Sequence, residues 1–327
     1  MKKYRGLIIT GSILLGAGLI AFAVFMNRLN WDFKELDTEV FEAKTYFAPV
    51  EEARPVFDRV KVDIRTGDVD LVFGDTLRVD YEESDSVKTR IGVEDGRLTV
   101  SQEVKWHLFS VFTFKRAFIK TVITLPEGLY DVELSADSGS PTVAGGGYRT
   151  LDIDSDNGKI VLSGIVCEGL AAHSDNGKIE LTDVRVSGGV SARSRNGKVT
   201  LKNLTADGGL KIDADNGRVE LTGVTANAAE VSAGNGAVEY DGLIVNRLRT
   251  SADNGRILFG GLVCPDIYLK SGNGRIEGNI LGIRGEYTVS LTGKNGRIDP
   301  AYDAAVGGDK KLTAESDNGS IKITFSE

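Results

Sequence analysis

The sequence predicts an all-β fold, a single-stranded β-solenoid expected to wind as a right-handed β-helix, with an apolar helix at its N-terminus. Three observations carry this. Asn-Gly recurs at Asn157-Gly158, Asn176-Gly177, Asn196-Gly197, Asn216-Gly217, Asn235-Gly236, Asn254-Gly255, Asn273-Gly274, Asn295-Gly296 and Asn318-Gly319, its glycines 19, 20, 20, 19, 19, 19, 22 and 23 residues apart. A fixed period near 20 is the mark of a repeat architecture. Apolar residues also recur at fixed offsets from each glycine, and alternation by two on either side of it gives each strand one inward face. The composition agrees, with 40 Gly, 6 Pro and 41% hydrophobic residues, as suits short strands and tight turns.

Residues 1–26 read as a cytoplasmic tip and a membrane-spanning helix. Lys2, Lys3 and Arg5 precede Leu7–Phe25, an uncharged run of 19 residues. As a helix it would extend ~28 Å, close to the hydrocarbon thickness of a bilayer. Three cations before it, against Arg28 just after it, place the N-terminus in the cytoplasm and the rest of the chain outside. The alternative is a cleavable signal peptide, since Ala21-Phe22-Ala23 has the small-x-small form of a cleavage site. Against it, the apolar run continues through Val24, Phe25 and Met26.

Residues 27–56 mix charges with aromatics and read as a membrane-proximal linker, with a short edge strand near Tyr46-Phe47. Residues 57–139 read as a degenerate β capping region. Val60-x-Val62-x-Ile64 and Val69-x-Leu71 flank one turn, and Ile91-x-Val93 and Leu98-x-Val100 flank Asp95-Gly96 in the same frame. Val132-x-Leu134-x-Ala136 repeats it a third time. Terminal units of a repeat array are atypical because they close an open end. Between them lies the aromatic run Trp106–Phe114. Trp106, Phe109 and Phe112 form either an exposed partner-binding hairpin or a buried strand pair that seals the cap, and burial is the commoner fate of such residues.

Residues 140–327 form the array itself. Seven residues before the glycine stand Leu151, Leu170, Val190, Leu210, Ala229, Leu248 and Ile267, and three before it only Ser or Ala in register. Two after it, every repeat has Ile or Val; four after it come Leu162, Leu181, Leu201, Leu221, Tyr240 and Phe259. Stacked at ~4.8 Å per coil, like residues form internal files in a rod on the order of 45–60 Å long. Asn-Gly at each corner predicts a tight turn in which both residues take positive φ. The Asn side chains should stack from coil to coil. Cys167 and Cys264 share one column five coils, or ~24 Å, apart, so a disulfide between them is excluded.

One residue after the glycine stand Lys159, Lys178, Lys198, Arg218, Arg256, Arg275 and Arg297, interrupted by Ala237. Stacked, they make a cationic row able to follow an anionic cell-wall polymer. Two residues further on run Glu180, Glu220, Glu239, Glu277 and Asp299, which predicts mutual neutralisation across strands.

Net charge of −8 speaks against a nucleic-acid partner. No cofactor or metal site is predicted. Two Cys and two His are little material for zinc, and Asp152-x-Asp154-x-Asp156-Asn157-Gly158 has its glycine one place late for a calcium loop, with Ser163 where the bidentate Glu belongs. Catalysis is not expected, because G-x-S-x-G, P-loop and H-E-x-x-H patterns are all missing. A polysaccharide-cleaving enzyme would have to use acids such as Asp152 and Asp154, which lie on the self-paired surface.

The order of elements resembles one bacterial family. The charged N-terminus and single apolar segment are followed by Phe57-Asp58-x-Val60, Gly67-Asp68-Val69-Asp70-Leu71-Val72, Leu125-Pro126, Ser135–Gly139 and the Asn-Gly repeats. Together they resemble the putative-adhesin family of unknown function, membrane-tethered proteins associated with envelope-stress systems. The resemblance implies a β-solenoid, an extracytoplasmic position and no enzymatic activity, and it supplies no binding residues. Many relatives show Ser-Gly where this chain has Asn-Gly. The function expected is a membrane-anchored adhesin or envelope scaffold, with a regulatory partner of a membrane stress sensor as the alternative.

Overall fold

The computed structural model describes residues 15–16, 18–28, 31, 40–47, 57–105, 119–301 and 307–327. It is an all-β solenoid. Successive coils pair in parallel, so that Leu151 lies beside Leu170, Leu170 beside Val190, and Val190 beside Leu210. Beyond the corner, Ile160 lies beside Ile179, Ile179 beside Val199, and Val199 beside Val219. Each of these side chains is at most 4% exposed, so the sequence columns are the internal files of one continuous core. Cys167 and Cys264 are both buried and free, and burial raises each thiol to about 11. They fill space as small apolar residues do.

The Asn-Gly corners differ from expectation. None of the nine Asn-Gly pairs has positive φ. Glycine is required there for a steric reason: a Cβ on Gly158, Gly177, Gly197, Gly217, Gly236 or Gly255 would stand 1.7 Å from the carbonyl oxygen of the corner glycine in the neighbouring coil. The positive-φ corner lies six residues later, at Gly164, Asp183, Asn203, Gly223, Gly242 and Gly261. Asn and Asp are the residues other than Gly that tolerate that region best. The Asn side chains do stack: each amide donates to the Oδ1 of the Asn in the coil before it in the stack at 2.7–3.0 Å, in an unbroken line from Asn295 back to Asn157.

Three residues before each corner glycine, the files are small because the side chain lies under the corner. Where it is serine, the hydroxyl accepts from the glycine N–H and donates to the previous coil's glycine carbonyl. Ser194 does so at 2.8 and 3.0 Å, and Ser271 at 2.9 and 3.0 Å. In the middle coils Ala214, Ala233 and Ala252 take that place and forgo both bonds.

At both ends the order of coils in space departs from their order in the chain. The strand Arg59–Ile64 lies between Arg97–Val104 on one side and Tyr130–Ala136 on the other. The companion strand Asp68–Phe73 likewise lies between Lys120–Leu125 and Pro141–Ala144. At the other end, Lys310–Ser316 lies between Asp266–Ser271 and Tyr287–Gly293. The last segment of the chain is therefore inserted beneath the one that precedes it.

Residues 91–100, read from sequence as a rung, are instead the end of an antiparallel hairpin, Val87–Glu94 with Arg97–Val104. Its two-residue turn, Asp95-Gly96, has φ of 49° and 71°. Here the Asp-Gly pair takes the two positive-φ values that the Asn-Gly pairs do not. Arg97–Val104 still stacks on the first coil.

The strand Glu42–Phe47 pairs antiparallel with Arg78–Glu83 at the outer margin of the N-terminal end. Lys44 reaches Glu83 at 2.6 Å and Thr45 donates to Asp80 at 2.7 Å. Burial pushes both carboxyls up, but Lys44 and the Thr89 N–H on Glu83, and Arg78 and Thr45 on Asp80, outweigh it and hold each below its ordinary value. Carboxyls depressed in the fold stabilise it fully above their unfolded pKa, and that contribution is lost as pH falls through the folded value. Acidification below about pH 4 is accordingly expected to release residues 42–47 before the array opens, read as early amide exchange there. Equal protection of residues 42–47 and the array at all pH values would contradict this.

The helical residues 18–28 precede these elements. Among the described residues no helix is long and apolar enough to cross a membrane. Much of the run Leu7–Phe25 lies outside the described residues, as do all of Trp106–Phe114.

Candidate functional site

The charged rows lie on the outward side of the strands that follow the corner. Inward residues there are Ile, Val and Leu, so the residues between them must face solvent. The cations and acids do neutralise one another: Lys159 meets Glu180 at 2.6 Å, Lys198 meets Glu220 at 2.5 Å, and Arg256 meets Glu239 at 3.1 Å. Arg218 lies 3.4 Å from Glu220 and 3.9 Å from Glu239, Arg275 lies 3.5 Å from Glu277, and Arg297 lies 3.4 Å from Asp299. Burial pushes the Glu220 carboxyl up, but Lys198 and Arg218 outweigh it and hold it below the ordinary range.

Lys178 has no carboxylate partner among the described residues. Its coil neighbour carries Thr200 where an acid would have to stand. The row is also broken once more than the sequence suggests. Because the last coil is inserted beneath its predecessor, Ser320 stands between Arg275 and Arg297, just as Ala237 stands between Arg218 and Arg256.

A groove of about 740 Å³ opens on this face across the later coils, bordered by Glu239, Asp241, Arg275, Glu277, Lys322 and Thr324. Gly260 and Gly278 also line it. Gly278 is fixed by the core: a Cβ there would lie 2.4 Å from the Phe259 ring. Sequence columns register Gly278 only as a gap in the apolar file. Lys322, which joins Glu277 at 3.7 Å, was not singled out either, because the stacking order brings it there.

Trp106, Phe109 and Phe112 lie outside the described residues. His173 and the candidate acids lie on a different face. Asp154 stands beside His173 in the next coil, and His173 Nε2 is 3.3 Å from Asp175. Burial, with Asp156, Asp175 and Asp152 nearby, raises the Asp154 carboxyl against the pull of His173. Asp152 projects from the same strand beside Ala171 and Glu133. Among the described residues no group of three or more His, Cys, Asp and Glu side chains could hold a metal ion.

Comparison with solved structures finds similar chains at low identity. A putative adhesin from Bacteroides fragilis is 15% identical, over 88% of this chain and 97% of its own, with a TM-score of 0.35. A putative lipid binding protein from Parabacteroides distasonis is 14% identical over 88% and 97%, with a TM-score of 0.47. A putative adhesin from Parabacteroides merdae is 11% identical over 89% and 98%, with a TM-score of 0.30. No curated protein matches. The family model described as Toastrack DUF4097 matches residues 57–327, from the first coil through the last strand, and the chain belongs to that family.

Proposed function

We propose that this protein is a membrane-tethered, extracytoplasmic β-solenoid that performs no chemistry and displays its outer rows to the cell envelope, as an adhesin or a scaffold. What carries the reading is the combination of a continuous core with outward rows whose charges, Lys178 apart, are already paired along the rod. Such a surface offers many equivalent polar contacts and no isolated reactive group, which suits an extended partner such as a cell-wall polymer. The tether is supported by Leu19, Ile20, Phe22, Val24 and Phe25, all more than 40% exposed, an apolar surface that the solenoid leaves uncovered.

Two measurements test this. Fractionation should place the full chain in the membrane, with its C-terminal part cut by protease added outside. Replacing Leu7–Phe25 with a polar segment should release it, and a wild-type chain that stays in the cytosol would end the tether reading. Changing Arg218, Arg256 and Arg275 together to Ala should alter stability by less than about 1 kcal/mol per pair, since exposed ion pairs contribute little. The same triple change should weaken binding to isolated cell walls severalfold. Unchanged wall binding, with a specific membrane protein copurifying instead, would favour a regulatory role.

A further inference from the structure

The far tip of the rod ends in a strand edge. Tyr287–Gly293 forms its outermost strand and, among the described residues, pairs on one side only, with Lys310–Ser316. An unpaired strand edge invites addition of another strand, and proteins usually guard it with charge, proline or a bulge. This strand reads Tyr-Thr-Val-Ser-Leu-Thr-Gly and carries none of these. The strand at the outer margin of the other end, Glu42–Phe47, is charged. Among the described residues the core is also less closed at the tip. Leu291 and Ile298 are only half-buried, whereas the residues that stack beneath them, Ala314 and Ile321, are fully buried.

We propose that the occupant of this edge is a second copy of the chain, joined tip to tip about a two-fold axis at Ser290. An antiparallel pairing centred there sets Ser290 against Ser290, Thr288 against Thr292, and Val289 against Leu291. No like charges meet, and the inward faces of both strands stay on the same side, so one core continues into the other. Just beyond the strand ends, Glu286 of each copy falls opposite Lys294 of the other. A two-fold contact repeats that attraction twice, as a self-complementary interface requires. Each of those groups keeps its own internal partner, Lys310 for Glu286 and Asp317 for Lys294, both at 2.6 Å. The contact does not depend on the tether. If the tether holds, it joins rods that rise from facing surfaces.

Cysteine scanning of the full chain in detergent solution tests this. In the proposed register Ser290 faces itself at disulfide distance, while Thr292 faces Thr288. Under mild oxidation, S290C should give a covalent dimer in at least about tenfold greater yield than T292C, and a mixture of T288C with T292C should crosslink as S290C does. Cys167 and Cys264 are buried and should not contribute. In sedimentation, S290K should shift the unoxidised chain from dimer to monomer with an unchanged circular dichroism spectrum, because Ser290 is exposed. A monomeric wild type at tens of micromolar, equal crosslinking of S290C and T292C, or a dimer that survives S290K would each overturn the proposal.

Discussion

Gly197→Ala is expected to lower the stability of the array by about 4 kcal/mol or more, in the range reserved for changes that force a packed backbone apart. The added methyl would stand 1.7 Å from the Gly177 carbonyl oxygen and 2.4 Å from its carbon, so two coils must separate at the corner where they touch. The same separation would strain the Asn196–Asn176 amide bond of 2.8 Å and the Ser194 bonds to Gly197 and Gly177. Gly209→Ala is the matched control. Its Cβ would meet nothing within 4 Å and its φ is ordinary, so the expected change is about zero or a gain of up to ~1 kcal/mol from a stiffer unfolded chain. Denaturant unfolding of the two variants checks this. Equal midpoints would mean that the close approach of corner backbones does not govern the fold.

The second large effect is expected inside the core, at Tyr240. Its hydroxyl lies 2.7 Å from that of Thr250, across the interior of one coil, with both side chains buried. Neighbouring coils fill these positions with Leu221 and Phe259 on one side and Val231 and Leu269 on the other. Tyr240→Phe alone leaves the threonine hydroxyl without its partner and should cost about 1–3 kcal/mol. Thr250→Val alone strands the tyrosine hydroxyl and should cost a similar amount. The double variant removes both polar groups and should be less destabilised than the sum of the two, by about 1 kcal/mol or more. Strict additivity would show that the hydroxyls find other partners.

Much of this molecule was legible in sequence because stacking turns a sequence offset into a place in space. The files from Leu151 to Ile267 and from Ile160 to Ile276 could be listed in advance, and so could the Asn row and the pairing of cations with acids. Asn-Gly is ambiguous in a specific way. The letters that favour a positive-φ turn also suit a corner where no Cβ fits, and only the distance between neighbouring backbones separates the two causes. The true positive-φ corner, with Gly164, Asp183, Asn203, Gly223, Gly242 and Gly261, carried its own column of tolerant residues, overshadowed by the more regular signal.

The order of the end coils was beyond a column argument. An offset says which residues share a file, and is silent on which coil lies above which. The wider spacings of 22 and 23 residues at the last two corners were the available hint, since a chain that skips a level and returns needs longer links. That reordering decides the candidate surface as well. It inserts Ser320 into the cationic row and brings Lys322 to Glu277, so the outline of the groove depended on knowledge that periodicity does not hold.

Because Lys310–Ser316 is clasped between two earlier strands, tension that has already stripped Ile321–Ser326 from Ile276–Leu281 must shear it past neighbours on both flanks instead of peeling it away one bond at a time. Arg59–Ile64 is held in the same manner at the opposite end. A rod pulled from both sides would thus give up its outer strands first and hold at these two. During synthesis Lys310–Ser316, made after both of its neighbours, must slot into a site between them.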